Sequence, residues 1–323
     1  MQLRFIKPAL LVTGGFFLLL LQGCSSIELQ SDKILEAKAA AYIQPQELSG
    51  VPFNPQREYQ CGPAALATVL QWRNVRASAD ELVKDVYLPE RKGSLQIEML
   101  ATVRRYGLIP YVIDQNMEAL LKEVRAGNPV LVLQNLGLDW HPFWHYAVVI
   151  GYDLGNDKII LRSGEVKRHI NSFSLFERTW RRSNYWGMVV LPVDRLPASA
   201  NAFSYLKSVV PFEQLNKNKI ALTAYRNALQ KWPQDKNLLM AAGNASYTEK
   251  QLSAAAKYYR RVIQNWPEFA PALNNLAQVL FEQRHYNEAK AYAEKAILHA
   301  DKYKAEYEKT LHSIMQRISA ARH

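Results

Sequence analysis

Gln56-Arg57-Glu58-Tyr59-Gln60-Cys61-Gly62-Pro63-Ala64-Ala65-Leu66-Ala67-Thr68-Val69-Leu70 decides how the first half of this 323-residue chain folds. Pro63 followed by strong helix formers starts a helix near Gly62, because a fixed φ and a missing N–H suit a first turn. Leu66, Val69 and Leu70 recur at helical spacing and give that helix a buried stripe. Cys61 therefore stands at a helix N-terminus, where unpaired amides and the macrodipole favour negative charge. The thiolate is the reactive form of cysteine, so this placement predicts a lowered thiol pKa. Gly62 leaves room for a substrate backbone. The competing reading is an inert cysteine packed as a small hydrophobe.

Downstream, elements follow in quick succession. Ser78-Ala79-Asp80-Glu81 has the form of a capping box. Helices are predicted over about 95–106, ended by Gly107, and over 117–126, ended by Gly127. Tyr111-Val112-Ile113 and Pro129-Val130-Leu131-Val132-Leu133 read as strands. Then comes Trp140-His141-Pro142-Phe143-Trp144-His145-Tyr146-Ala147-Val148-Val149-Ile150-Gly151-Tyr152, with His145 at the mouth of an apolar strand and His141 as a decoy beside Pro142. A hairpin at 153–157 leads into the strand 158–164. The Arg-rich aromatic stretch Phe176, Trp180, Arg181, Arg182, Tyr185 and Trp186 reads as core and edge packing, and Met188-Val189-Val190-Leu191 as a last strand. Helices first and strands after give an α+β layout.

A Gln shortly before Cys-Gly-Pro, with the Cys opening a helix, resembles the papain-like bacteriocin-leader (double-glycine) peptidases. The strand that starts at His145 and closes with Gly151-Tyr152-Asp153 resembles them too. The resemblance implies an α+β papain-like cysteine peptidase domain. It implies Cys61 as nucleophile, His145 as base and then acid, and a Gln side chain in the oxyanion hole. Gln56, five before the Cys, is favoured because the loop needs length to fold back over the thiol. Many relatives carry that Gln six before, where this chain has Pro55, and Gln60 is the nearer alternative. The family tends to have Asp-Pro where this chain has Ser163-Gly164. Ser163 can hydrogen-bond an imidazole but cannot stabilise imidazolium as a carboxylate does. Either Ser163 suffices, or an acid such as Glu165 substitutes, or the enzyme is weak. No cofactor is implied, and one free thiol without a ligand cluster argues against a metal.

The last third repeats with a period of 34 residues. Trp232-Pro233 recurs as Trp266-Pro267; Ala221, Ala255 and Ala289 keep the spacing, as do Tyr225 and Tyr259, and Gly243 and Ala277 align. Small residues at fixed offsets let paired helices approach, and the pattern resembles tetratricopeptide repeats. Repeats are expected over 236–269 and 270–303, after a degenerate one over 202–235 whose first helix Pro211 should break. Residues 304–320 read as a polar capping helix. An all-α repeat solenoid of this kind implies a protein partner on its concave face.

The N-terminus reads as an address. A basic start with Arg4 and Lys7 precedes an apolar run from Leu10 to Leu21, too short to span a bilayer comfortably. Leu21-Gln22-Gly23-Cys24 resembles a bacterial lipobox, which implies acylation of Cys24 and stable anchoring to a membrane. Ser25 rather than Asp after it implies, by the same resemblance, sorting to the outer membrane, facing the periplasm of a Gram-negative cell. The expected organisation is a signal peptide over 1–23, a tether over 24–48 with a weak helix around Lys33–Tyr42, the peptidase domain over 49–194, a linker over 195–203 and the repeat domain over 204–323. The two cysteines, Cys24 and Cys61, have separate roles and no disulfide is expected. Formal charge is +11, falling to +9 without Arg4 and Lys7, and is spread rather than blocked. With no nucleic-acid motif beside it, that charge reads as a solvated basic surface.

Together these residues predict an envelope lipoprotein that cleaves a peptide or amide bond and recruits a substrate or partner through its repeats. The competing reading is a weak or inactive papain-like adaptor. A transpeptidase would use the same acyl-enzyme, and the substrate is not legible.

Overall fold

In the computed structural model, the structure is described for residues 28–37, 42–300 and 302–320. The signal segment and Cys24 lie outside the described residues. No helix among the described residues is long and apolar enough to cross a membrane.

A short helix α1 (Gln30–Glu36) and strand β1 (Gln46–Glu47) precede helix α2 (Cys61–Gln71). Next come α3 (Ala79–Val86), the hairpin β2 (Tyr87–Leu88) and β3 (Gly93–Ser94), α4 (Gln96–Arg105), β4 (Ile109–Val112), α5 (Met117–Arg125) and β5 (Val130–Asn135). The chain continues through β6 (Trp144–Asp153), β7 (Lys158–Ser163), β8 (Val166–Asn171), α6 (Phe173–Arg181) and β9 (Gly187–Leu191). Strands β4, β9, β5, β6, β7 and β8 pair in that order as an antiparallel sheet. β1 adds to β6 beyond the end of β5. Ser78 caps α3 with the reciprocal bond from Glu81, as its sequence signature requires.

β6 alternates, as a strand must. Tyr146, Val148 and Ile150 pack with α2 on one face, and Ala147 and Val149 join the core on the other. α2 is buried almost all round, from Gly62 to Leu70, rather than along one stripe. A helix with so little exposed surface is fixed rigidly, and so is its tip.

Two sequence expectations change. The tether is not free over its whole length: Leu29 and Ser31 are buried. The backbone N–H groups of Gln30 and Ser31 donate to the fully buried Glu177 carboxylate at 2.8 and 2.7 Å. Buried orphan amides at the start of α1 need such an acceptor, and Glu177 supplies it. The Arg-rich aromatic stretch packs as expected, with Phe176 and Trp180 fully buried on the helix α6, which Ser172 caps and β8 precedes. Pro211 does not break its helix, because α7 (Ala202–Gln214) runs through it. Tyr205, Val209 and Phe212 bury that helix in the core of the sheet, and this outweighs the lost hydrogen bond.

The helices α8 (Asn218–Lys231), α9 (Lys236–Thr248), α10 (Leu252–Asn265), α11 (Ala270–Glu282), α12 (Tyr286–Leu298) and α13 (Lys304–Ala320) complete the chain as antiparallel neighbours. Trp232 and Trp266 end α8 and α10 with similar backbone angles, which is the structural content of the repeated Trp-Pro.

Candidate active site

Cys61 is the first residue of α2, and its thiol is free. The backbone N–H groups of Tyr146, Gly62 and Cys61 itself point at the sulfur and favour the thiolate. Burial acts the other way and is the larger effect, so the thiol pKa is raised, not lowered as the helix position alone predicts. Gly62 is required here, because a Cβ on it would lie 2.2 Å from Ser94 Oγ.

His145 lies near the start of β6, 6% exposed. Its Nε2 is 2.9 Å from Ser163 Oγ. The last register pair of β6 with β7 on this side is Val148 with Arg162, and β7 slips against β8 between Leu161 and Ser163. The strands therefore part beside His145. Burial, helped by the nearby His169, pushes the imidazole pKa down to about 4. Both groups are thus neutral near pH 7, and no carboxylate among the described residues acts on the imidazole. Glu165 is exposed in the turn after Ser163, and His141 sits on an exposed turn bridged to Leu138.

Gln56, Cys61, Ser163, Gly164, Arg162 and Tyr146 share the wall of a void of about 10 Å³, room for one water. The Gln56 backbone N–H donates to the Gly164 carbonyl at 3.3 Å, which ties the loop before α2 to the turn after β7. Gln60 is the residue before the helix and makes no side-chain cap. The structure thus gathers Cys61, Gln56 and Ser163 around one void. His145 is not part of its wall and joins the group through Ser163.

Sequence reasoning missed the supports. Asn54 Nδ2 donates to Thr68 Oγ1 at 3.2 Å and to Gln71 Oε1 at 3.0 Å, pinning the entry loop to α2. Buried Arg162 donates to the carbonyls of Ser49, Val51 and Lys167. Ser94 Oγ is buried without a partner among the described residues. Only the charge of Arg162 inside an apolar strand signals any of this in sequence. No group of three or more His, Cys, Asp or Glu that could hold a metal occurs among the described residues.

Residues 48–188 match the Peptidase C39-like family, and residues 212–268 and 246–312 match two tetratricopeptide-repeat families. No curated protein matches the chain. Among solved structures, a C39-like peptidase candidate from Bacillus anthracis is 18% identical and covers 46% of this chain and 98% of its own, with a TM-score of 0.39. The peptidase domain of Streptococcus ComA, a bi-functional ABC transporter, is 19% identical over 44% of this chain and 98% of its own, with a TM-score of 0.37. The first tetratricopeptide unit of Spaghetti, bound to an HSP90 peptide, is 15% identical over 36% of this chain and 93% of its own, with a TM-score of 0.35. The chain therefore carries a Peptidase C39-like domain followed by a tetratricopeptide-repeat region.

Proposed function

We propose that this chain is a lipid-anchored envelope peptidase that cleaves a peptide or amide bond through Cys61 and His145. The observation that carries it is the void that Cys61 and Gln56 share with Ser163, whose Oγ lies 2.9 Å from Nε2 of His145. A proton on Nε2 donated to Ser163 Oγ leaves the Nδ1 lone pair as base. Nδ1 takes the thiol proton as the sulfur attacks the carbonyl carbon. The oxyanion is held by the Gln56 amide and the Cys61 backbone N–H. The imidazolium then protonates the departing amine, and water hydrolyses the thioester. Because thiol and imidazole start neutral, charge separates during attack rather than before it. The repeats bring the substrate or a protein partner, and acylated Cys24 holds the molecule at the periplasmic face of the outer membrane.

The raised thiol pKa, the lowered imidazole pKa and the missing carboxylate favour a second reading, an adaptor with a weak or silent site. Full-length protein incubated with a peptide library and read by mass spectrometry separates the two. Peptidase action predicts cleavage that Cys61→Ala and His145→Ala each reduce by about 100-fold or more, with an acyl mass on Cys61 in short incubations. No cleavage at any peptide, with partner capture surviving Cys61→Ala, would leave the adaptor.

A further inference from the structure

The turn between β5 and β6 projects five large apolar side chains, Leu136, Leu138, Trp140, Phe143 and Trp144. Trp140 is 81% and Phe143 61% exposed. This turn is built to hold its shape. Asn135 Oδ1 accepts from the backbone N–H groups of Gly137 and Phe143 at 3.0 and 2.8 Å. A Cβ on Gly137 would lie 2.4 Å from the His141 carbonyl, so only glycine closes the turn. Arg182, the residue that ends α6, donates to the carbonyls of Gly137 and Asn135 at 2.7 and 3.4 Å and pairs with Asp139. A braced turn with its rings in solvent holds an apolar surface ready for something outside the chain.

The N-terminal segment says what that is. Glu177 holds the amides of Gln30 and Ser31. Glu177 and Arg182 are five residues apart on α6, about 7.5 Å along the axis. Cys24 is six residues before Gln30, so any acyl chain on it emerges within about 20 Å of that latch. A reach that short lets the bilayer that receives the acyl chain lie against α6 and the braced turn. α6 itself offers exposed Leu175 and Arg178 there, three residues apart and so on one face. Tryptophan and phenylalanine settle at the headgroup boundary, and arginine pairs with anionic lipid phosphate.

We infer that the turn at 136–144, with the outer face of α6, seats the peptidase domain on an anionic lipid bilayer, its aromatic tip entering the headgroup region. The inference rests on the anchor reading of Cys24. It makes the substrate a chain at or near the membrane surface, because His145 follows Trp144 directly at the base of the seated turn. A projecting turn suits a fluid boundary better than a peptide, which needs concave walls.

The full-length chain is reconstituted into vesicles of phosphatidylethanolamine and phosphatidylglycerol whose acyl chains are brominated. Brominated lipid should quench tryptophan emission. The double change Trp140→Phe and Trp144→Phe, which leaves five of the seven tryptophans, should abolish most of that quenching. Trp140→Ser with Phe143→Ser should move the turn out of the bilayer and weaken binding to anionic vesicles. Absent quenching, or quenching unchanged in the Phe double variant, overturns the inference. So does a shift of Trp140 and Trp144 emission by soluble peptide but not by lipid, which would make the turn a substrate wall. The intact mass reports acylation of Cys24 separately. If the acyl mass is missing, the anchor reading fails, and the same vesicles added to the unacylated chain still decide whether the turn enters lipid.

Discussion

Ser163 Oγ lies 2.9 Å from Nε2 of His145 and carries no charge. Burial raises the Cys61 thiol and lowers the His145 imidazole, so it opposes the thiolate–imidazolium pair from both sides. Alkylation of Cys61 by iodoacetamide, which needs thiolate, should therefore climb only as pH passes above the usual thiol range, with no plateau between pH 5 and 7. A carboxylate at position 163 would stabilise imidazolium and raise the His145 pKa. The resulting positive charge would in turn lower the thiol pKa. Ser163→Asp should then bring an alkylation plateau near neutral pH and a higher turnover if the domain is a peptidase. Rates of iodoacetamide labelling against pH, for both proteins, check this; superimposable profiles would mean that residue 163 does not tune the imidazole. The sequence shows the missing carboxylate plainly. It does not show the raised thiol pKa, since desolvation comes from Tyr146, Val148 and the packed loops around α2, all set by tertiary structure.

Among the elements, the repeats were the most legible. Small residues 34 apart state the packing directly: a Cβ on Gly243 would lie 2.5 Å from the Tyr259 ring, so α9 and α10 touch through glycine against an aromatic face. Gly243→Ala gains about 1 kcal/mol of helix propensity but loses about 1–3 kcal/mol to overpacking. The net outcome should be a lower urea midpoint, partly recovered by adding Tyr259→Leu. An unchanged midpoint in Gly243→Ala would show that the helices can part without cost. α2, α3, α5 and strands β5 to β7 were also readable, because capping residues, glycine stops and apolar runs are local signals. β8 was not, since Lys167, Arg168 and His169 make it a polar edge strand with no buried run. Of α1 only a weak helix around 33–42 is expected; its start at Gln30 and its docking depend on Glu177, nearly 150 residues away. Pro211 misled because local propensity says break while the core of the sheet says continue.

At the scale of the whole molecule, the two regions are not beads on a string. One apolar core runs from Ile109, Tyr111 and Leu191 in the sheet through Tyr205, Val209 and Phe212 of α7 into Tyr225 and Leu229 of α8. Lys217 Nζ donates to the carbonyls of Arg104 and Arg105 at the end of α4, adding a polar clasp. Ser199, in the stretch between the regions, is bound to buried Glu123 by both its N–H and its hydroxyl. The peptidase region and the first repeats should therefore melt as one unit. Calorimetry should give a single main transition for them, whereas two well-separated peaks would show that the shared core is weaker than its burial suggests. The same seam governs what a cell protease could release. A cut near residue 200 would free a Peptidase C39-like half whose sheet carries a greasy scar where α7 had lain. Such a fragment would clump before it could diffuse away.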